Sequence, residues 1–284
     1  MTIPVALLGL ATAAAPHTLR QADALAAARG LFRDRFPGFE RMAPVFETAG
    51  IRTRQTAMPL DWTERTAAYL DAADALFAAA AAAALDEAGL TGADIDLIVT
   101  VSSTGIATPS LEARAMTRIS FRPDAARVPV FGLGCAGGAT GLALAARLAR
   151  ATPGSKVLLV VVEVCTLSFR TDKLTKADIV ATALFGDGAA ACVLGSGDGG
   201  VARIEGAAEH TWPDTLDIMG WRVDPTGFGV IFDRAIPPFA RDNLRSAMET
   251  MLAGQGLELD DIDRVLCHPG GAKVLERLMK SKAA

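Results

Sequence analysis

The sequence has few of the residues that build metal sites and disulfide frameworks. Only three histidines occur among its 284 residues, too few to predict a histidine-rich metal site. Its four cysteines show no paired spacing and stand at positions 135, 165, 192 and 267. Unpaired cysteines in apolar segments are typical of reduced thiols in the cytoplasm rather than of a disulfide framework. We therefore expect a cytoplasmic protein without a bound metal.

Long hydrophobic runs and an excess of charge are also missing. The Ala-rich run at 78–84 is flanked by acidic residues and is far shorter than the roughly 18 apolar residues of a membrane span. Residues 5–16 are apolar, but no Lys or Arg precedes them, which favours a first core strand over a secretion signal. The net charge of -4 gives no support for nucleic-acid binding. Arg52 and Arg54 are expected to be solvated, with the phosphates of a nucleotide-like carrier as the alternative.

The hydrophobic pattern predicts a layered α/β protein with a buried sheet. Hydrophobic residues make up 51% of the chain, which is typical of a globular protein with a well-buried core. Apolar and β-branched runs predict strands over 5–16, 95–101, 128–131, 156–164 and 189–194. Ala- and Leu-rich stretches predict helices over 18–35, 62–85 and 111–119, and a further helix that follows the glycines after Cys135 and ends at 148. Strands that alternate with helices indicate a sheet covered on both faces.

One segment occurs twice. G-L-T-G-A-D-I-D-L-I-V-T-V begins at Gly89, and G-L-E-L-D-D-I-D-R-V-L-C-H begins 167 residues later at Gly256. Both place a Gly-Leu helix exit and Asp-Ile-Asp before a strand, which favours a duplicated α/β half over chance. We therefore divide the chain into an N-terminal half, 1–195, and a C-terminal half, 196–284. At this offset the counterpart of Cys135 would lie beyond the last residue, so we expect the second half to be incomplete.

Cys135 stands where a predicted strand turns into a predicted helix, in V-P-V-F-G-L-G-C-A-G-G. The glycines permit a tight backbone there. A thiol at a helix N-terminus faces the positive end of the dipole and free N–H groups, which lower a cysteine pKa and can hold an oxyanion. Cys135 is therefore a candidate nucleophile, and a small packed cysteine in a glycine-rich turn is the alternative.

Three more candidates lie at predicted strand ends. His268 follows the predicted strand 264–267 in C-H-P-G-G. It could raise the thiolate population of a cysteine or hydrogen-bond an oxyanion, and capping a turn is the alternative. Asp187, in F-G-D-G-A-A-A, is expected to accept backbone N–H groups in a turn, and the alternative is a tight turn that lets the backbone and Phe185 approach a substrate. Glu163 is expected to be a buried carboxylate with hydrogen-bond partners.

Three motifs together resemble one family. G-C-A-G-G surrounds Cys135, A-L-F-G-D-G-A-A-A covers 183–191, and H-P-G-G covers 268–271. In this order they resemble the type III polyketide synthases, the chalcone and stilbene synthase family. T-G-I-A-T-P-S, H-T-W-P-D-T and M-G-W resemble segments of the bacterial alkylresorcinol and alkylpyrone synthases.

The resemblance implies a fold and a reaction. The fold would be the duplicated, thiolase-like αβαβα arrangement, in a homodimer that uses acyl-CoA and malonyl-CoA as substrates and needs no further cofactor. Cys135 would take the acyl group from a CoA thioester, and His268 would keep the thiol ionised and help bind the carbonyl oxygen. Malonyl-CoA would lose CO2 and extend the acyl chain to a resorcinol or pyrone type product.

The resemblance also implies binding positions. Phe185 would be an aromatic gate between the CoA tunnel and the cavity. Val230 matches a second gate position that is aromatic in the plant enzymes, so its smaller side chain suggests room for a longer acyl chain. The other implied positions are the cavity residues Cys165 and Ser168, the dimer-contact residue Thr108 and the CoA-phosphate residue Arg52.

The sequence departs from the family in one respect. The family's third catalytic residue is an asparagine in a G-N-M-S-like segment beyond the histidine, and the sequence ends before it. Loss of one oxyanion donor typically costs about 2.7–4 kcal/mol, so we expect condensation to be impaired. The alternatives are an inactive truncated paralogue or partial chain with only a structural or dimer role, and a ketoacyl synthase of fatty-acid initiation. H-P-G-G favours the polyketide branch.

Overall fold

Helices and strands alternate along the chain. The computed structural model describes residues 3–56, 65–168, 175–224, 227–268 and 270. Its strands are β1 (Val5–Ala14), β2 (His17–Arg20), β3 (Thr53–Thr56), β4 (Leu97–Val101), β5 (Ala126–Val130), β6 (Lys156–Val164), β7 (Asp187–Ser196), β8 (Ala202–Ile204), β9 (Met219–Asp224) and β10 (Gly227–Phe232). Its helices are α1 (Gln21–Phe32), α2 (Phe39–Met42), α3 (Val45–Thr48), α4 (Arg65–Glu87), α5 (Leu111–Ile119), α6 (Gly137–Ala151), α7 (Lys176–Leu184) and α8 (Ile236–Ala253).

The contacts divide the chain into two units that are interleaved in sequence. The first contains Met1–Thr18, Gln55–Leu167 and Gly186–Ala207. The second contains Leu19–Arg54, Ser168–Phe185 and Ala208–Ala284. The division into 1–195 and 196–284 rests on the sequence repeat and stays a prediction.

A six-stranded mixed sheet forms the centre of the first unit. Its strand order is β5-β4-β6-β7-β1-β8. Strand β4 pairs in parallel with both β5 and β6, while β7 pairs antiparallel with β6 and with β1. The parallel part brings the carboxyl ends of β4, β5 and β6 to one edge of the sheet, which is where the chain turns toward α6.

Helices cover both faces of this sheet, which explains why its central strands are apolar almost throughout. On one face α4 and α5 pack with Ile98 and Leu158; on the other α6 packs with Val99 and Leu159. Within the described residues, α4 alone is long and apolar enough to cross a membrane. Half of its most apolar window is buried, as in the core helix of a globular protein.

The second unit holds a helix layer and a hairpin. Helices α1 and α3 pack with α7, and α7 also contacts β10. Gln21 at the start of α1 donates from Nε2 to the carbonyl oxygen of Ala183 in α7 at 2.9 Å. Strands β9 and β10 form a two-stranded antiparallel hairpin. This packing places the end of α7, and Phe185 directly after it, beside the hairpin.

The repeated segment adopts the same local structure in both copies only up to its strand. Gly89 and Gly256 both have positive φ, at 66° and 74°. Each is followed by a capped 3-10 turn, Gly92–Asp94 and Leu259–Asp261. The strand predicted over 264–267 is not formed, although its counterpart β4 is regular. β4 has a ladder on each side, whereas the described residues place no strand beside 264–268.

Candidate functional site

Cys135 lies in the middle of a 3-10 turn, Gly134–Ala136, between β5 and α6. Gly134 has a φ of 53°, in the left-handed region where a side chain is strained. The turn leaves Cys135 exposed at the start of the 15-residue helix α6. The predicted strand, hinge and helix around this cysteine are therefore confirmed.

Close packing fixes the N-terminus of α6 against the ends of the parallel strands. A Cβ added at Gly141 would lie 2.9 Å from Val101 Cγ2 and 3.1 Å from Leu159 Cδ1. Only a residue without a side chain allows the helix to approach β4 and β6 this closely. The first turns of the helix, and the thiol that precedes them, are thus held on the sheet.

A hydrogen-bond network connects the cysteine turn to β6. The amide of Gly134 donates to Ser103 Oγ at 3.0 Å, and the amide of Ser103 donates to Glu163 Oε1 at 3.0 Å. Thr104 Oγ1 donates to Glu163 Oε2 at 2.7 Å and accepts from the amide of Val164 at 2.8 Å. Glu163 therefore has the partners expected of a buried carboxylate. Its network joins the loop after β4, the turn after β5 and the end of β6.

Burial makes Glu163 a weak acid despite these donors. Desolvation raises its pKa to about 7, against the hydrogen bonds from Thr104 and Ser103, which lower it. Nearby, the Tyr69 hydroxyl lies 2.8 Å from Ser102 Oγ, and burial raises the Tyr69 pKa to about 12. The site thus contains a carboxyl group that changes its charge near neutral pH.

The expectation of a lowered Cys135 pKa is wrong for this unit of the chain. Its pKa is raised, because surrounding protein desolvates the sulfur and Glu163 adds a negative charge. The backbone N–H of Cys135 acts in the opposite direction but does not outweigh them. The residue is nevertheless exposed by surface area, so solvent and a substrate can reach the thiol. Cys135 is therefore accessible, and its surroundings favour the thiol over the thiolate.

Cys165 lies close enough to Cys135 and Glu163 for both to affect its pKa. It begins the 3-10 turn Cys165–Ser168 after β6. Its pKa is raised well above the ordinary value, first by burial and then by Glu163, Asp187 and Cys135. Cys135 is therefore close enough to raise the pKa of the Cys165 thiol. The backbone of Ser168 ends the turn, and its side chain lies outside the described residues.

Asp187 accepts hydrogen bonds as predicted, although from a different turn. Its carboxylate accepts from the amide of Thr166 at 2.8 Å and from Thr166 Oγ1 at 2.6 Å. It therefore fixes the turn that begins at Cys165. All four cysteines of the chain are free thiols. Among the described residues, no three His, Cys, Asp or Glu side chains gather where they could hold a metal ion.

Thr108 and Arg52 are both exposed. Thr108 lies in the loop between β4 and α5, and its bond to Pro109 is cis. The carbonyl of Arg52 accepts from the amide of Gln21 at 2.9 Å. The expectation of a solvated Arg54 is wrong, because this residue is 9% exposed. It lies in β3, where strand alternation turns neighbouring side chains to opposite faces.

Phe185 and Val230 both border an aromatic group in the second unit. The Phe185 ring meets Trp221 edge-on, with centroids 6.2 Å apart, and Trp221 stacks on Phe228 at 6.2 Å. Val230 lies directly across the hairpin from Trp221. All four residues are half-buried.

His268 is exposed and follows a segment without regular structure. It belongs to the second unit, and Cys135 belongs to the first. Their pairing therefore stays a prediction from the resemblance.

Sequence reasoning missed Ser103, Thr104 and Trp221. The Ser/Thr cluster directly after β4 is a signal that could have identified the first two, since strand ends next to a glycine turn gather functional groups. Trp221 is part of the M-G-W motif, but nothing in the sequence shows that its ring meets Phe185.

The geometry supports nucleophilic chemistry in the first unit. An accessible thiol stands at a helix start, where backbone N–H groups can stabilise an oxyanion. A titratable carboxyl group and a second thiol lie in the same neighbourhood. Such a site can accept an acyl group, provided that a base ionises the thiol.

The sequence model of one family matches more than half of the chain. It describes the N-terminal domain of chalcone and stilbene synthases and covers residues 49–198. That range contains the strands β4 to β7, the helix α6 and the cysteine turn.

Curated relatives and solved structures agree with this match. The chain is 42% identical to 1,3,6,8-tetrahydroxynaphthalene synthase of Streptomyces peucetius subsp. caesius, over 93% of this chain and 73% of that protein. It is 33% identical to a putative chalcone synthase of Bacillus subtilis, over 97% and 81%. The crystal structure of tetrahydroxynaphthalene synthase from Streptomyces coelicolor A3(2), a bacterial type III polyketide synthase, superposes with a TM-score of 0.89 at 29% identity. It covers 96% of this chain and 80% of that one. The predicted thiolase-like fold class is thereby confirmed.

Proposed function

The chain belongs to the chalcone and stilbene synthase family of type III polyketide synthases, which are acyltransferase-type enzymes. From this premise we propose that it loads an acyl group from a CoA thioester onto Cys135. The observation that carries the proposal is the exposed Cys135 on the glycine turn at the start of α6. The Cys135 sulfur attacks the thioester carbonyl carbon, a new carbon–sulfur bond forms, and the CoA thiolate leaves and takes up a proton. His268 accepts the proton of Cys135 and donates a hydrogen bond to the carbonyl oxygen.

Extension follows in the same proposal. Malonyl-CoA loses CO2, and the resulting enolate attacks the carbonyl carbon of the Cys135 thioester and releases the sulfur. Cyclisation of the extended chain gives a resorcinol or pyrone type product. A 30% identical relative named as an alpha-pyrone synthesis polyketide synthase-like protein supports the pyrone alternative. The 42% identical relative named as a tetrahydroxynaphthalene synthase supports a naphthalene type product as a second candidate.

We further propose binding roles for five residues, each taken from the resemblance to the family. Phe185 and Val230 border the acyl path, Cys165 and Ser168 line the cavity, and Arg52 contacts the CoA phosphates. Cys135 contributes to the raised pKa of Cys165, and Phe185 and Val230 border one aromatic group. Arg52 is exposed, as a phosphate contact requires.

We also propose a homodimer in the cytoplasm, where the free thiols remain reduced. Thr108 would contact the second copy. Ile106 and Phe131, which follow the neighbouring strands β4 and β5, are 63% and 51% exposed and support this contact. Light scattering of the wild type and of Ile106→Asp tests it. A dimer that becomes a monomer in the variant is expected, and a monomeric wild type contradicts it.

The acyl transfer is tested by intact-protein mass spectrometry. The wild type is incubated with an acyl-CoA, and one acyl adduct is expected on the peptide that contains Cys135. Cys135→Ala removes the adduct, whereas Cys267→Ser, which removes another exposed cysteine, leaves it in place. An unmodified wild type, or an adduct that persists in Cys135→Ala, contradicts the proposal.

Condensation needs a separate measurement. Labelled malonyl-CoA is added to the acylated protein, and CO2 release and products are followed by mass spectrometry. Release of CO2 with an extended product supports the complete reaction. A stable acyl adduct without CO2 release limits the activity of this chain to loading.

A further inference from the structure

The β9–β10 hairpin has one wholly apolar face. Side chains alternate along a strand, and directly opposed residues of an antiparallel pair share a face. The register places three cross-strand pairs on this face, namely Met219–Phe232, Trp221–Val230 and Val223–Phe228. The face is only partly covered, because Met219 is 42% exposed and Val223 is 69% exposed. An apolar surface is therefore left available beside the end of α7.

Trp221 occupies the centre of this face. Its ring meets Phe185 at 6.2 Å with an interplanar angle of 80°, and Phe228 at 6.2 Å with an angle of 23°. Edge-on and stacked contacts of this kind hold aromatic rings in defined orientations. Trp221 thus connects the residue that ends α7 with the hairpin.

The position of Trp221 bears on the interpretation of Val230, whose small side chain suggested room for a longer acyl chain. Val230 lies directly opposite Trp221. The valine leaves space on β10, but the neighbouring strand supplies an indole ring on the same face. The aromatic partner of Phe185 therefore comes from β9 rather than from β10.

We propose that Trp221 forms the second aromatic side of the acyl path beside Phe185 and determines which acyl chain lengths enter it. This inference rests on the proposed loading of Cys135 from acyl-CoA. An alkyl chain of a CoA thioester is the occupant that fits, because the face consists of hydrocarbon and aromatic side chains. A shorter side chain at 221 widens the path and favours longer chains.

The experiment compares acylation of Cys135 by hexanoyl-CoA and palmitoyl-CoA, followed by intact-protein mass spectrometry. In Trp221→Ala the ratio of palmitoyl to hexanoyl second-order rate constants rises about tenfold, the lower end of the effect that one methylene has in a hydrophobic pocket. Trp221→Phe gives a smaller rise in the same direction. The change is expected in the dependence of the acylation rate on the concentration of palmitoyl-CoA.

Two further variants distinguish a role in specificity from one in folding. Trp221→Ala combined with Val230→Phe moves the ring to the opposite strand and is expected to return the ratio toward the wild-type value. Trp212→Phe is the matched control, because Trp212 contacts His210 and Phe239 instead of Phe185. It leaves the ratio unchanged.

The outcomes separate this inference from its premise. If the wild type is acylated and both Trp221→Phe and Trp221→Ala keep the wild-type ratio, the assignment of Trp221 is overturned while loading stands. If Trp221→Ala misfolds, Trp221→Phe decides: a raised ratio supports the assignment of Trp221, and a wild-type ratio overturns it. If the wild type accepts no acyl group, the proposed function falls and this inference falls with it.

Discussion

Replacement of Glu163 by glutamine tests the electrostatics of the cysteine site. Burial raises the pKa of Glu163 from 4.5 to about 7. The folded state therefore binds this proton more tightly than the unfolded state. The resulting stabilisation is complete below pH 4.5 and is lost as the pH rises through 7. Glutamine has the shape of the protonated acid and keeps an oxygen that accepts from Ser103, but it cannot ionise.

The expected size follows from the shift of the Glu163 pKa. Between about pH 5 and pH 8.5 this group removes at most about 2.5 kcal/mol from the free energy of unfolding of the wild type. Glu163→Gln does not lose this contribution, so its stability rises relative to the wild type by the same amount over that interval. Urea denaturation of both proteins at the two pH values measures the difference.

The control is Glu87→Gln, which removes an exposed carboxylate at the end of α4. It is expected to follow the pH dependence of the wild type. Parallel stability curves for the wild type and Glu163→Gln would refute the argument. They would mean that the hydrogen bonds from Ser103 and Thr104 already compensate the burial of the charge.

Three other predictions concern residues of the first unit. Glu163→Gln removes a negative charge that raises the pKa of Cys135. The pH midpoint of Cys135 alkylation by iodoacetamide, measured on the peptide that contains Cys135, is therefore expected to shift to lower pH. An unchanged midpoint contradicts this prediction. Ser103→Ala removes the acceptor of the Gly134 amide and lowers the free energy of unfolding by about 1 kcal/mol in urea, whereas no change would show that water replaces it fully. Gly9→Ala would place a Cβ 2.5 Å from a backbone oxygen of α4 and lowers stability by about 1–3 kcal/mol. Gly30→Ala in α1, where nothing lies within 4 Å, is its control and raises stability by about 0.5–1 kcal/mol.

Elements specified by local sequence were predictable. Helix α5 and strand β6 begin and end at the predicted residues, because an apolar run and its flanking turn residues lie within one short window. The strand at 264–267 fails for the opposite reason. A strand needs a neighbour, and the apolar pattern of a segment does not show whether a neighbour is present.

In the candidate site, too, the features set by local sequence were predictable and those set by contacts between distant residues were not. The Cys135 turn was predictable, because glycines and a helical run adjoin it in sequence. The Ser103–Glu163 hydrogen bond and the Phe185–Trp221 contact join residues far apart in the chain, so no local pattern encodes them. Arg54 was predicted to be solvated from its charge alone, and its burial depends on tertiary packing.

The raised pKa of Cys135 changes what its proposed partner has to do. A helix N-terminus and a backbone N–H favour the thiolate, yet burial and the charge of Glu163 outweigh them. The first unit therefore supplies access and oxyanion donors, while its burial and the charge of Glu163 favour the thiol over the thiolate. In the proposed acyl transfer, His268 accepts the proton that leaves the Cys135 sulfur. Under this proposal His268 has to generate the Cys135 thiolate rather than stabilise one that is already present.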